Sequence, residues 1–385
     1  MTRLAYFAFD RDDAATRRRV AGCRRDGIEV DGFAMRRRDG PAPDWVVADL
    51  GRTADNAYLR RAGSILAGAR KALKRRDALE AADVMMARNL DMLAVAALTR
   101  RLAGLKTPLV YECLDVHRLL VREDGVGAAM RALEGRLLAG AAALWVSSPA
   151  FLREYFEPRH GGRYRAALVE NRIVREPALG PRPTETFADD PARPLRIGWF
   201  GNLRCRRSLA MMEAIGAAFP GRAEIVLRGY PALGEIPDFD ARVAAAPAVR
   251  YGGRYTAPED LAAIYGEVDV VWAGDFMDAG SNSDWLLPNR LYEGGWFACP
   301  PIAPAHVETG RWIAERGVGF TIADGDGATA EESLEALVGR LIEDRAPIRS
   351  ARAALLDLPE ETFAEPAGTL AALFGDAIDP AARRP

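Results

Sequence analysis

The sequence predicts an α/β protein built as two parallel-sheet domains in series, and three observations carry that prediction. Apolar runs of strand length alternate with helix-length segments along nearly the whole chain, the pattern of helices layered on a parallel sheet. At 385 residues the chain exceeds the roughly 100–200 residues usual for one domain. Near its middle the alternation breaks: REPALGPRPTETFADDPARP, from Arg175 to Pro194, holds five prolines and no periodic apolar face, the composition of a linker.

The elements follow in order. In the first half, strands are expected over 4–9, 28–35, 45–50, 83–87, 108–112, 143–147 and 167–170, each a short apolar run bounded by polar or turn residues. Helices are expected over 14–25, 58–75, 90–103, 128–139 and 150–156. The second half opens with a strand over 195–200 and a helix over 208–219, and continues with strands over 224–227 and 249–251 and a helix over 258–265. A strand over 268–273, a helix over 288–297, strands over 301–303 and 319–322 and a helix over 330–342 complete it, with further helix over 350–374. The expected division is a domain over 1–175, a linker over 176–194, a domain over 195–350, and a final helix within 351–385 that returns toward the first domain. A ligand cleft is expected between the halves.

Composition narrows the class. Apolar residues make up 49% and charged residues 28%, which excludes wholesale disorder. Cys23, Cys113, Cys205 and Cys299 are far apart with no CxxC pair, which argues against a zinc site or disulfide framework and fits a reducing cytoplasm. The opening MTRLAYFAFD reads as a strand rather than a signal segment. The longest apolar run, 137–146, is about half of the ~20 residues a spanning helix needs. The expectation is a cytoplasmic protein, soluble or peripheral on the inner membrane face. Residues 1–180 hold 32 Lys+Arg against 23 Asp+Glu, net +9, and the remainder 20 against 31, net −11. Such a split suggests that the halves meet different partners.

Two segments carry the chemistry. In RIGWFGNLRCRRSLAMMEAI a strand is expected to end at Phe200, Gly201 and Asn202 to turn, and a helix to start near Ser208 as N-cap. Such a junction lets backbone N–H groups face a phosphate, and Arg204, Arg206 and Arg207 add guanidinium groups beside it. In SDWLLPNRLYEGGWFACPPIAP, Pro288 suits a first helical turn, and Asn289, Arg290 and Glu293 follow. Arg290 and Glu293 share a helix face at i,i+3, and a carboxylate suits two vicinal ribose hydroxyls.

Together these segments resemble the C-terminal domain of GT-B glycosyltransferases of the retaining family-4 type. Arg206-Arg207-Ser208 stand where that family has a basic element, and Pro288, Arg290, Glu293 and 300–303 follow its P-x-K-x-x-E pattern. Leu227-Arg228-Gly229-Tyr230-Pro231, LAAIYGEVDVVW, LWVSSPAFLREY and Val169-Glu170-Asn171 resemble further landmarks. The resemblance implies two Rossmann-like domains facing each other across a cleft, and transfer of a sugar from a nucleoside diphosphate sugar. It implies donor contacts from Gly201, Asn202, Arg204, Arg206, Gly229, Asn289, Arg290 and Glu293, and charge stabilisation by Arg207. Tyr111 to His117 resembles the acceptor-side strand end, which marks Asp115 and His117 as catalytic candidates; Asp10 and Arg11 fall on the acceptor side, where the family's Gly-Gly loop is replaced. Trp285 stands where an E-x7-E element has its first Glu.

No cofactor or metal is expected. The strings Asp10-Arg11-Asp12 and Asp324-Gly325-Asp326 read as turn acids, and His160 and His306 as structural. The basic segment from Arg60 to Arg76 has seven Lys/Arg and is a candidate for peripheral membrane contact. An anionic or lipid-linked acceptor, and a place in polysaccharide or glycolipid assembly, fit the basic half. Nucleic acid is not expected, because the chain is net acidic and lacks basic–aromatic interleaving. Two other readings stand beside this one: a nucleotide-sugar 2-epimerase-like isomerase, and a non-catalytic nucleotide-sugar-binding protein.

Overall fold

The computed structural model describes residues 1–53, 58–185, 192–325 and 327–379, and of 58–62 the backbone only. The chain forms two compact units, one of Met1–Val174 with the segment from Glu365 onward, the other of Arg175–Ala364.

The first unit holds strands β1 (Arg3–Ala8), β2 (Glu29–Arg36), β3 (Val46–Arg52), β4 (Val84–Arg88), β5 (Leu109–Cys113), β6 (Ala143–Val146) and β7 (Ala166–Leu168). They form one sheet in the order β3-β2-β1-β4-β5-β6-β7, with parallel pairing throughout. Leu4 to Ala8 and all of β4 and β5 are buried, as a parallel sheet covered on both faces requires. The helix Thr369–Ile378 belongs here: Leu370, Phe374 and Ala377 join the core of Leu4, Tyr6, Val84 and Val110, and Phe374 lies 4.7 Å from Trp145 between ring centres.

The second unit holds β8 (Leu195–Leu203), β9 (Ala223–Pro231), β10 (Val249–Tyr251), β11 (Val270–Trp272), β12 (Pro301–Pro304) and β13 (Phe320–Ile322), ordered β10-β9-β8-β11-β12-β13. Its core gathers Ile197, Trp199, Leu209, Ile225, Trp272 and Leu334. Asp269, before β11, is buried and clamped by Arg193 at 2.6 and 2.9 Å, Arg345 at 3.3 Å and Arg352 at 3.3 Å. Burial opposes its charge, yet these guanidiniums hold the carboxyl below its ordinary value.

Several elements differ from expectation for local reasons. The strand expected to end at Phe200 runs to Leu203, because Gly201, Asn202 and Leu203 keep register with Gly229, Tyr230 and Pro231. The next helix is Arg206–Ala218, capped by the Cys205 sulfur, which accepts from Ser208 N at 3.3 Å. Ser208 is therefore not the cap; it is buried, and its Oγ accepts from the Trp272 indole at 3.1 Å. Pro288 precedes the helix Asn289–Trp296 as its N-cap. The helix expected from 128 starts at Gly125, because Asp124 accepts from Gly127 N at 3.0 Å. The tail is not one helix. Ala346–Asp357 stays with the second unit and Thr369–Ile378 joins the first, with Pro359 and Pro366 between them unable to donate helical hydrogen bonds. Part of the expected linker, 186–191, lies outside the described residues.

Candidate functional site

In the second unit the strand order reverses between β8 and β11, and ligands of open α/β sheets bind at the C-terminal ends of such a pair. Gly201 and Gly229 sit opposite each other there, with φ of +105° and +124°. A Cβ on Gly229 would lie 1.9 Å from the Gly201 carbonyl oxygen, so only glycine lets β8 and β9 approach this closely. The helix Asn289–Trp296 brings two of the expected residues to the same edge. Arg290 Nη1 donates to the Phe200 carbonyl at 2.8 Å, and a Cβ on Gly201 would be 3.9 Å from both Arg290 Nη1 and Tyr255 Oη. One turn on, the buried Glu293 accepts from Tyr265 Oη at 3.1 Å. The Tyr265 ring meets Phe200 edge-on at 5.1 Å. Burial, and then the Glu293 charge, push the Tyr265 hydroxyl well above its ordinary value, so it remains a neutral donor. Gly201, Gly229, Arg290 and Glu293 thus share one edge, while the buried Asn202 Oδ1 and Arg290 Nε have no hydrogen-bond partner.

The three arginines are each paired. Arg204 Nη2 lies 3.0 Å from Asp275, a pair that joins the loops after β8 and β11. Arg206 lies 3.1 Å from Asp238. Arg207 reaches Asp324 at 3.1 and 3.2 Å and Glu331 at 2.8 and 2.9 Å, with its guanidinium 4.2 Å from the Phe276 ring centre. The Glu331 hydrogen bond leads in raising Arg207 above its ordinary value. The cationic cluster read from the sequence is therefore charge-compensated by carboxylates 32 to 124 positions away in the chain. Asp324 is one of its partners, and Asp326 lies outside the described residues.

The acceptor-side candidates belong to the first unit. Asp115 and His117 are exposed after β5, and His117 Nδ1 accepts from Leu119 N at 3.2 Å. Asp10 lies 3.3 Å from Arg37; burial leads in raising its carboxyl. Arg11 turns inward, buried, and donates to the Gly40 carbonyl at 2.6 Å. Beneath them lies a buried knot that the sequence did not reveal. Glu112 accepts from Arg19 Nε at 2.7 Å and Arg88 Nε at 2.8 Å, and Arg19 also reaches Glu365 at 3.0 Å. Burial alone would raise the Glu112 carboxyl; Arg88 and Arg19 overcome it and hold the group down at about 2.

Comparison with known proteins then decides the family. The chain is 42% identical over 346 residues to the succinoglycan biosynthesis protein ExoL of Rhizobium meliloti (strain 1021), covering 89% of this chain and 85% of that protein. The chain belongs to the ExoL family. No family model matches it. Among solved structures it resembles sucrose-phosphate synthase (tll1590) of Thermosynechococcus elongatus, with TM-score 0.72, 13% identity and coverage of 97% and 98% of the two chains. The UDP complex of Anabaena Alr3699/HepE gives 0.65, 15% identity and 94% and 96% coverage. WaaG, a glycosyltransferase involved in lipopolysaccharide biosynthesis, gives 0.61, 12% identity and 99% and 100% coverage. The fold is the GT-B fold.

For this ExoL-family chain the sequence missed Tyr255, Asp275 and Glu331, none of which sits in a motif, and gave no role to Tyr265, although it lies within LAAIYGEVDVVW. A lone tyrosine or acid gives no signal until the fold sets it beside Arg290 or Arg207. Among the described residues no three His, Cys, Asp or Glu side chains are grouped to hold a metal ion, and no helix is long and apolar enough to cross a membrane.

Proposed function

We propose that this ExoL-family chain transfers a sugar, with retention of anomeric configuration, from a nucleoside diphosphate sugar to a lipid-linked anionic acceptor in polysaccharide assembly. The observation that carries the donor half is the edge where Gly201, Gly229, Arg290 and Glu293 converge. The glycines let a ligand approach the backbone, and Glu293 is a fixed carboxylate. It has about four acceptor positions, so a Tyr265 bond and ribose hydroxyls are compatible. HepE, of the same fold, is known in complex with UDP and with UDP-glucose, which supports this class of donor.

In transfer, the bond from the anomeric carbon to the diphosphate oxygen breaks, a bond to an acceptor hydroxyl oxygen forms, and the proton of that hydroxyl passes to the departing diphosphate. Negative charge grows on the leaving diphosphate. Arg207, with Arg204 or Arg206, is our assignment for stabilising it, and no metal is required. The pairs these arginines make are partly exposed, and exposed pairs contribute only about 0–1 kcal/mol. A doubly charged diphosphate can therefore compete for them, and Asp324 and Glu331 hold the Arg207 fork ready. Asp115 and His117 are our assignments for the acceptor side, with the cytoplasmic face of the membrane as the place of action.

Thermal shift of the full-length protein with a panel of nucleotide-sugars tests the reading, because a ligand bound to the native state raises Tm. We expect nucleoside diphosphate sugars to raise Tm and EDTA to leave the shift intact. No shift with any of them, or its loss in EDTA, would contradict the assignment.

A further inference from the structure

Among the described residues of the first unit lies a basic cavity of about 550 Å³ that the donor reading does not use. Arg131, Arg136, Arg159 and Arg163 line it with His160 and Tyr164, and no acidic side chain does. Arg131 donates to the Leu120 carbonyl at 2.9 Å, and Arg159 pairs with Glu123 at 2.5 Å. Arg136 and Arg163, both exposed, make no hydrogen bond or ion pair among the described residues. Tyr164 Oη is buried without a partner. Of the nearby acids, Glu123 is taken by Arg159, and Glu134 is fully buried and consumed from within: it accepts from Tyr111 at 3.0 Å and from Tyr155, and lies 2.9 Å from His160 Nε2.

The helix that forms one wall, Gly125–Leu138, has an inverted surface. A solvated helix face normally carries charges of both signs. Here the outward residues are Val126, Ala128, Ala129, Ala132 and Leu133, with Arg136 the charge among them. Val126 is 52% and Leu133 37% exposed. Glu123 and Asp124 are exposed at the start of the helix, but from Ala128 to Arg136 its outward residues are apolar and basic, which suits the headgroup boundary of an anionic bilayer.

We propose that this helix docks on an anionic membrane, with a phospholipid phosphate held in the arginine cavity and Val126 and Leu133 at the acyl boundary. Two uncommitted guanidiniums and a phenol O–H offer the donors that phosphate oxygens accept. The helix C-terminus beside them opposes an anion, but its fractional charge is outweighed by the full charges of Arg136 and Arg163. The basic segment from Arg60 to Arg76 is a weaker claimant: Lys71, Arg75 and Arg76 donate to the carbonyls of Leu50, Val47 and Ala103, so three of its seven cations tie the fold together. A second copy is a poorer occupant, since mutual contact of this face would bring arginine cavities together. The proposal uses no residue of the second unit, so its failure leaves the donor reading standing.

The test is sedimentation of the full-length protein with mixed phosphatidylglycerol–phosphatidylcholine vesicles and with phosphatidylcholine alone. Wild type should bind the anionic vesicles, more weakly as salt rises. Arg136→Glu with Arg163→Glu should weaken binding by more than about tenfold, each basic residue near an anionic surface being worth severalfold. Val126→Asp with Leu133→Asp should do likewise, while Arg70→Glu with Lys74→Glu should change little. All six residues are exposed or lack partners, so an unchanged Tm is the folding control. Equal sedimentation of wild type and the Arg136/Arg163 variant overturns the proposal, as does loss confined to the Arg70/Lys74 variant. Inorganic phosphate that binds the cavity by calorimetry while vesicles do not would assign the site to free phosphate. Self-association lost in the Val126/Leu133 variant, without vesicle binding, would assign the face to a second copy.

Discussion

The two units use arginine in opposite ways. In the first, Arg19 and Arg88 are nine-tenths or more buried and meet Glu112 and Glu365 inside the unit. In the second, Arg204, Arg206 and Arg207 stand at the rim with partners that water also reaches. Burial decides what each pair can do. A desolvated pair cannot release its partner without leaving an uncompensated charge, so the first set fixes β1, β4, β5 and the helix Ala14–Arg25. A rim pair contributes little to stability and can exchange its partner for a phosphate. The same residue type is architecture in one sheet and a candidate ligand contact in the other.

The largest expected effect breaks the buried knot. Glu112→Gln leaves Arg19 and Arg88 short of a charge partner and should destabilise the protein by about 3–5 kcal/mol, read by calorimetric unfolding. The pH dependence has a definite sign. The Glu112 carboxyl is held at about 2, below its ordinary 4.5, so its contribution is present above about pH 4.5 and is lost as pH falls toward 2. The variant should lack that part of the acid slope. A loss under about 1 kcal/mol, or an unchanged slope, would mean that the knot behaves like a rim pair.

Next come changes at the second unit's edge. Arg207→Ala should weaken UDP binding by about 1.5–3 kcal/mol, the worth of a hydrogen bond to a charged group, with Tm nearly unchanged; calorimetric titration reads both ends of that statement. Gly229→Ala sets a Cβ 1.9 Å from the Gly201 oxygen and forces a side chain into left-handed backbone. It should cost about 1–3 kcal/mol of stability and displace the loop proposed to meet the nucleotide; an unperturbed melt would show that β8 and β9 can separate here. The smallest effect is expected at Glu331. Glu331→Gln removes one of two acids on Arg207 and should shift UDP affinity by no more than about 1 kcal/mol, toward tighter binding. A large loss instead would make Glu331 part of the contact rather than a placeholder.

Much of this was legible in the sequence, for physical reasons. Alternating apolar runs follow from burying a parallel sheet on both faces, and they marked strands such as β1 and β8 within a few residues. The motif around Pro288, Arg290 and Glu293 is local, so its helix and its shared face could be read directly. Boundaries fixed by side-chain chemistry could not. Cys205 rather than Ser208 caps its helix because Ser208 is needed by Trp272, a contact 64 positions away. The arginine motif showed charge but not its compensation, since Asp275, Asp324 and Glu331 converge only through the fold. The Glu112 knot had no local pattern: its members lie 24 to 346 positions apart.

The donor edge is tested by calorimetric titration of UDP and GDP into full-length wild type and Glu293→Gln, with and without EDTA. Wild type should bind at least one of the two, independently of metal. The variant should bind more weakly by roughly 1.5–3 kcal/mol, the loss of a charged acceptor for ribose hydroxyls. Equal affinity in the two proteins, or no binding of either nucleotide to wild type, would contradict it.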